Sequence, residues 1–229
     1  MPPPPMTRKF LAYSLPLLVL LLDQGSKIWV KTHLAYGEEI AILGWDRALI
    51  HFVENNGMAF GLSFGGAAGK IALTGFRLLA VGLLGYYLGH IIRSGVSRRF
   101  LVGFALVLGG AIGNIIDSVF YGVLFSESTY HSGPATFLPE GGGYAPLFFG
   151  RVVDMLYLPL AYGVYPEWVP WLGGRAFLFF RPVFNVADVA ICTGVVLLLL
   201  SYYRTTKPKG HQTKRPLTPP RTGGSPESS

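Results

Sequence analysis

Hydrophobic and polar positions alternate along this chain on the scale of whole helices. Residues 10 to 30, 71 to 92, 100 to 117 and 183 to 203 form four apolar runs, each near the roughly 20 residues that cross a bilayer as a helix. The polar stretches between them are unequal: 93–99 is short, whereas 31–70 and 118–182 are long. In the first long stretch ALIHFVE, NNG and MAFGLSF read as two extended segments around an Asn56-Gly57 turn. The second, with PEGGGYAP and YPEWVPW, reads as interfacial loops with a short helix, since Trp and Tyr favour the headgroup level. The predicted fold is an all-α membrane protein of four transmembrane helices, with a small extracytoplasmic β element and an enlarged outer loop between helices three and four. Residues 1–204 form one polytopic domain, and 205–229 a disordered basic cytoplasmic tail rich in Pro, Gly, Ser and Thr.

Composition agrees: 51% of residues are hydrophobic and 14% charged, against about a quarter charged in a soluble domain. The first run imitates a signal peptide, because 10–22 alone is apolar behind Arg8 and Lys9, but no small-residue cleavage site follows. It reads as an uncleaved helix. Charge then orients the bundle. With the N-terminus cytoplasmic, Arg8, Lys9, Arg93, Arg98, Arg99, Arg204, Lys207, Lys209, Lys214, Arg215 and Arg221 all lie inside, as the positive-inside rule requires. The net charge of +7 thus marks an inner membrane edge, and no nucleic-acid partner is expected. Cys192 is the only cysteine, which leaves no disulfide or thiolate metal site.

In this topology several polar groups reach the outer level. Asp23 and Lys27 are four apart on helix one; Asn114 and Asp117 are three apart, as are Asn185 and Asp188, so each pair shares a helix face. Asp117 ends helix three, and Asp188 lies five residues into helix four, about 7 to 8 Å along its axis. Asp154, in GRVVD, approaches from the second outer loop. A carboxylate in or against lipid is costly and suggests function. Position alone favours Asp117 with Asp188.

The chemistry is narrowed by elimination. The five histidines, 33, 51, 90, 131 and 211, are scattered, with no closely spaced metal-ligand pattern. No serine beside a lysine or histidine base stands out within a membrane segment. Carboxylates remain, and two held close share a proton and supply acid and base together. An ion- or proton-coupled transporter and an inactive membrane scaffold are the competing readings, the first weakened by the lack of an internal repeat or interrupted helix pair.

Five blocks, DQGSK at 23–27, ENNGMAFG at 54–61, GGAIGNIID at 109–117, VVD at 152–154 and FNVADVAI at 184–191, occur in an order that resembles the bacterial lipoprotein signal peptidases, or signal peptidase II. The resemblance implies an aspartic endopeptidase of the cytoplasmic (inner) membrane that removes signal peptides from prolipoproteins, cutting before a diacylglyceryl-modified cysteine. It implies Asp154 and Asp188 as the catalytic pair, in place of Asp117 with Asp188. Asp23, Lys27, Asn55, Gly57, Asn114, Asp117, Asn185 and Ala187 become supporting or substrate-binding positions. It further implies no metal or organic cofactor, a monomer among membrane lipids, and inhibition by globomycin-type cyclic peptides.

Two positions depart from the family pattern. Ser118 follows the GNIID aspartate and Glu54 precedes Asn55, where relatives often carry arginine; Arg151 is the candidate to compensate at Asp117. The 37 residues from Asp117 to Asp154 exceed the spacing of shorter members. The inserted segment, with Glu127, His131 and Glu140, is expected to be a plain loop rather than a lid.

Overall fold

The computed structural model describes residues 5–56, 66–179 and 181–206. Three long helices occupy most of the first half of the chain: α1 (Pro5–His33), α2 (Gly66–Arg93) and α3 (Arg98–Ile116). The α3 start is set by Ser97, whose hydroxyl accepts the Phe100 N–H at 3.2 Å, satisfying one orphan donor of the first turn. Arg8 at the other end of α1 donates to the carbonyls of Val96 (2.7 Å) and Ile91 (3.4 Å). One predicted inner cation thus ties α1 to the α2–α3 turn, above an apolar cluster that includes Ala12, Leu88, Leu101 and Phe104.

Helix three does not end at Asp117. The chain widens there into a π-helical turn, Asp117–Tyr121, continues as α4 (Gly122–Leu124), and leaves the helical path extended at Phe125. The last helix, α5, spans Val186–Thr206, so Asp188 stands in its first turn rather than five residues in. Among the described residues, α2, the α3–α4 continuation to Leu124, and α5 as far as Tyr203 are long and apolar enough to cross a membrane. In α1 the C-terminal half carries Asp23, Lys27 and Lys31, all fully buried in the protein.

Glycines let these helices approach. A Cβ on Gly103 would sit 2.8 Å from the Gly194 carbonyl oxygen, one on Gly109 2.9 Å from the Pro16 Cα, and one on Gly113 2.5 Å from Asp23 Oδ2. A Cβ on Gly110 would collide with the Ala187 carbonyl. The glycine face of α3 is therefore a packing surface toward α1 and α5, as small residues commonly are between membrane helices.

The β part is larger than expected. A four-stranded antiparallel sheet has the order β1 (Glu39–Ile42), β2 (Trp45–Asn55), β3 (Val152–Tyr157), β6 (Val183–Phe184), while β4 (Ala161–Val164) and β5 (Ala176–Phe179) form a separate ribbon. ALIHFVE does lie in a strand, β2, which is joined to β1 by a two-residue turn, Leu43–Gly44, that the sequence pattern did not single out. Both turn residues have positive φ, 52° and 74°, the geometry that matches strand twist in a two-residue hairpin. Gly57 and MAFGLSF lie outside the described residues, as does the tail from 207 onward. The second long stretch, expected as interfacial loops with a short helix, supplies β3 to β5, and β6 takes the first two residues of the fourth apolar run. The sheet covers the end of α1 through a core of Val30, Leu34, Phe52, Tyr121, Phe125, Val153 and Met155.

Candidate active site

Asp154 is carried by β3 and Asp188 by α5, and the register of the sheet brings them together. Val53 of β2 pairs with Asp154, and Leu156, two residues on, pairs with Phe184 of β6. Phe184 is followed at once by Asn185 and α5. Asn185 and Asp188 then form a reciprocal cap: Asn185 Oδ1 accepts the Asp188 N–H (3.0 Å) and Asp188 Oδ2 accepts the Asn185 N–H (3.2 Å). The N-cap and N3 positions thus satisfy each other's donors.

An asparagine relay links the two carboxylates. The Asn185 side-chain amide donates to Asp154 Oδ1 (2.7 Å) and Asn114 Oδ1 (3.1 Å), and Asn114 Nδ2 donates to Asp188 Oδ1 (2.9 Å). Asn55, at the end of β2, also hydrogen-bonds Asp154. Burial, with the Asp188 charge second, raises the Asp154 carboxyl from its ordinary 3.8 to about 7 against the hydrogen bond from Asn185. A carboxyl so placed keeps a proton near neutrality.

Beneath the relay, Lys27 Nζ has three acceptors: Asp23 Oδ2 (2.8 Å), Asp117 Oδ2 (2.8 Å) and Asn114 Oδ1 (2.9 Å). Three N–H donors meet three acceptors, the condition under which a buried ammonium is tolerable. Asp23 Oδ1 accepts the Ala187 N–H (2.9 Å), and Asp117 Oδ2 accepts the Val153 N–H (3.2 Å). The two carboxylates therefore fix the backbones that present Asp188 and Asp154. Asp117 is thus held by Lys27, Gln24 and the Val153 N–H.

Of the ten residues singled out from sequence, nine fall in this one constellation and Gly57 lies outside the described residues. Arg151 does not compensate at Asp117. Its guanidinium reaches Glu54 Oε2 (3.4 Å) and Glu127 Oε1 (3.1 Å), while Lys27 is the ion-pair partner of Asp117. Glu54 also contacts Lys31, which in turn donates to Ser128 Oγ (2.8 Å). The inserted segment is thereby pinned to α1 and β2, so its first part is no free lid.

Sequence reading missed two contributors. Gln24 donates to Asp117 Oδ1 (2.8 Å) and accepts from the Tyr121 hydroxyl (3.1 Å); it lies inside DQGSK, but an uncharged side chain drew no notice. Arg77 of α2 lines a cavity of about 240 Å³ with Asn114 and Asp188, walled by Phe76, Leu84 and Ile191. An arginine inside an apolar run was itself the signal.

Fold and site together define a membrane protein with two carboxylates held at the junction of a helical bundle and a sheet, beside a partly apolar cavity. Residues 15–204 match the family model described as Signal peptidase (SPase) II. The chain belongs to the signal peptidase II family. It is 49% identical over 189 residues to the lipoprotein signal peptidase of Porphyromonas gingivalis, covering 82% of this chain and 80% of that one. With the lipoprotein signal peptidase of Amoebophilus asiaticus it shares 38% over 200 residues, 85% and 79% of the two chains. A bacterial membrane enzyme solved by the in meso method superposes with a TM-score of 0.57 at 21% identity, over 89% of this chain and 94% of that one. That likeness speaks for the fold.

Proposed function

We propose that this chain removes signal peptides from lipoprotein precursors as an aspartic endopeptidase, with Asp154 and Asp188 as its catalytic pair. The observation that carries the reading is the relay Asp154–Asn185–Asn114–Asp188, which holds two carboxyl groups in one hydrogen-bonded frame. Asp188, in the first turn of a helix where the backbone dipole favours an anion, is the base. Asp154, buried on its strand, is the acid. Asp188 takes a proton from water as the water oxygen attacks the scissile carbonyl carbon, and Asp154 gives its proton to the carbonyl oxygen. The tetrahedral intermediate then collapses: the C–N bond breaks, the amine leaves with the proton from Asp188, and one hydroxyl of the intermediate returns its proton to Asp154 as the carbonyl re-forms. Asp23, Lys27, Asn55, Asn114, Asp117, Asn185 and Ala187 position this pair.

The substrate is a prolipoprotein with a diacylglyceryl-cysteine, cut before that cysteine. Its acyl chains stay in lipid, and the apolar wall of the Arg77 cavity adjoins the proposed base. All four long helices cross the inner membrane, both termini are cytoplasmic, and the sheet and catalytic pair lie toward the outer face. The distribution of basic residues supports this orientation, as does the position of Arg8 at the end of the bundle remote from the sheet. The test is cleavage of a lipid-modified prolipoprotein by purified Asp154→Asn and Asp188→Asn proteins. Each should lose about a thousandfold in rate, within the range of general acid–base catalysis; unimpaired cleavage by either one removes it from the proposed pair.

A further inference from the structure

The ribbon of β4 and β5 has no core of its own. Its strands pair from Ala161↔Phe179 to Val164↔Ala176, and among the described elements each makes substantial contact only with the other. A lone two-stranded ribbon is marginal in water. This one is also strongly apolar and exposed. Tyr162 and Val164 project from one face, Phe179 from the opposite one, and Trp168 and Trp171 in the connection are 80% and 91% exposed.

The roots of the ribbon fix where it lies. It leaves the sheet after Tyr157 and returns at Val183, which are paired partners, and α5 begins two residues after Phe184. The ribbon therefore emerges beside the end of a membrane helix. A protein partner would cover one face of a ribbon; apolar groups on both faces and in the connecting turn call for a medium that surrounds it. Trp and Tyr rings with neighbouring arginines, here Arg175 and Arg181, suit the headgroup and upper acyl region.

We infer that the β4–β5 ribbon is a membrane-docking element, immersed in the interfacial layer of the bilayer beside the outer end of α5. The inference rests on the membrane orientation proposed above and adds to it a lipid-bound support for both segments that carry the catalytic aspartates. Between Asp154 and Asp188 the chain makes one excursion, and lipid holds its far end.

The test uses the full-length protein reconstituted in phosphatidylcholine–phosphatidylglycerol vesicles, with part of the lipid brominated at shallow acyl positions. The native protein is compared with a Trp168→Phe/Trp171→Phe protein, and, separately, the ribbon pair is observed alone in a Trp29→Phe/Trp45→Phe protein. Expected is loss of most of the emission from Trp168 and Trp171 to shallow brominated lipid, with protection from aqueous iodide. Iodide access matching that of a free tryptophan analogue, without lipid quenching, overturns the inference. Protection from both quenchers also overturns it, since a second copy then covers the ribbon. Cleavage of a lipoprotein precursor by the same vesicles reports the peptidase reading independently.

Discussion

Lys27 and Lys31 lie one helical turn apart on the same side of α1, both fully buried, yet they sit in opposite surroundings. Lys27 is enclosed by Asp23, Asp117 and Asn114 and belongs to the frame that carries the proposed catalytic pair. Lys31 contacts Glu54 and Ser128 and is walled by the rings of Phe52, Phe125 and Tyr144 at 5.2 to 5.9 Å. The first ammonium organises chemistry; the second fastens an inserted loop. Two identical side chains four residues apart thus serve different ends, and only their acceptors distinguish them.

Substitution should separate the two. Lys27→Met leaves two buried carboxylates without their cation, and breaking such a pair costs about 3 to 5 kcal/mol. Purified protein should lose activity about a hundredfold and unfold at markedly lower denaturant concentration. Activity within a few-fold of wild type would show that the lower cluster does not serve the pair. Next in size is Gly113→Ala, whose Cβ would come within 2.5 Å of Asp23 Oδ2. Displacing that carboxylate should reduce kcat about tenfold, an overpacking effect of about 1 to 3 kcal/mol. A wild-type kcat would mean that the Asp23 to Ala187 contact is dispensable.

The pH dependence sharpens the comparison further. Asp154 is raised to about 7, so activity that needs its proton should fall as pH rises through about 7. The native carboxyl also holds a proton that the unfolded chain has already released between about pH 4 and 7. Stability should therefore decline with rising pH across that window. Lys31→Met should leave the position of the basic limb unmoved, and a displaced limb would join the two clusters. The smallest effect is expected for Lys31→Met combined with Glu54→Leu, which removes both charges together. Replacing a buried pair by apolar side chains is often neutral, and cleavage should stay within about threefold, whereas Lys31→Met alone should unfold more readily.

Much of the site could be read from the sequence because its parts lie in contiguous blocks on helices. The spacings Asp23 to Lys27, Asn114 to Asp117 and Asn185 to Asp188 follow helical geometry, and Asn185-Val-Ala-Asp188 spells a capping pair before an apolar run. The sheet was hidden because β2 and β3 pair across about a hundred residues, a non-local contact with no periodic trace. The β1–β2 hairpin escaped notice for a different reason: its turn rests on Leu43, a residue that ordinarily avoids positive φ. The role of Asp117 was ambiguous since a brace and a catalyst demand the same residue type. The fold gives Asp117 the partners Lys27, Gln24 and the Val153 N–H, the contacts on which the proposed bracing role rests.

The antiparallel pairing of Tyr157 with Val183 also bears on evolution. A short ladder rung closes the segment between them, so that segment can lengthen or shorten without altering the frame that joins Asp154 to Asp188. Loop-closure entropy grows slowly, by about 0.6 kcal/mol for each doubling of length, and exerts little pressure against insertions there. The excursion can therefore gain or lose residues while the frame stays fixed, provided the ribbon keeps the apolar side chains that meet lipid, Trp168 and Trp171 among them.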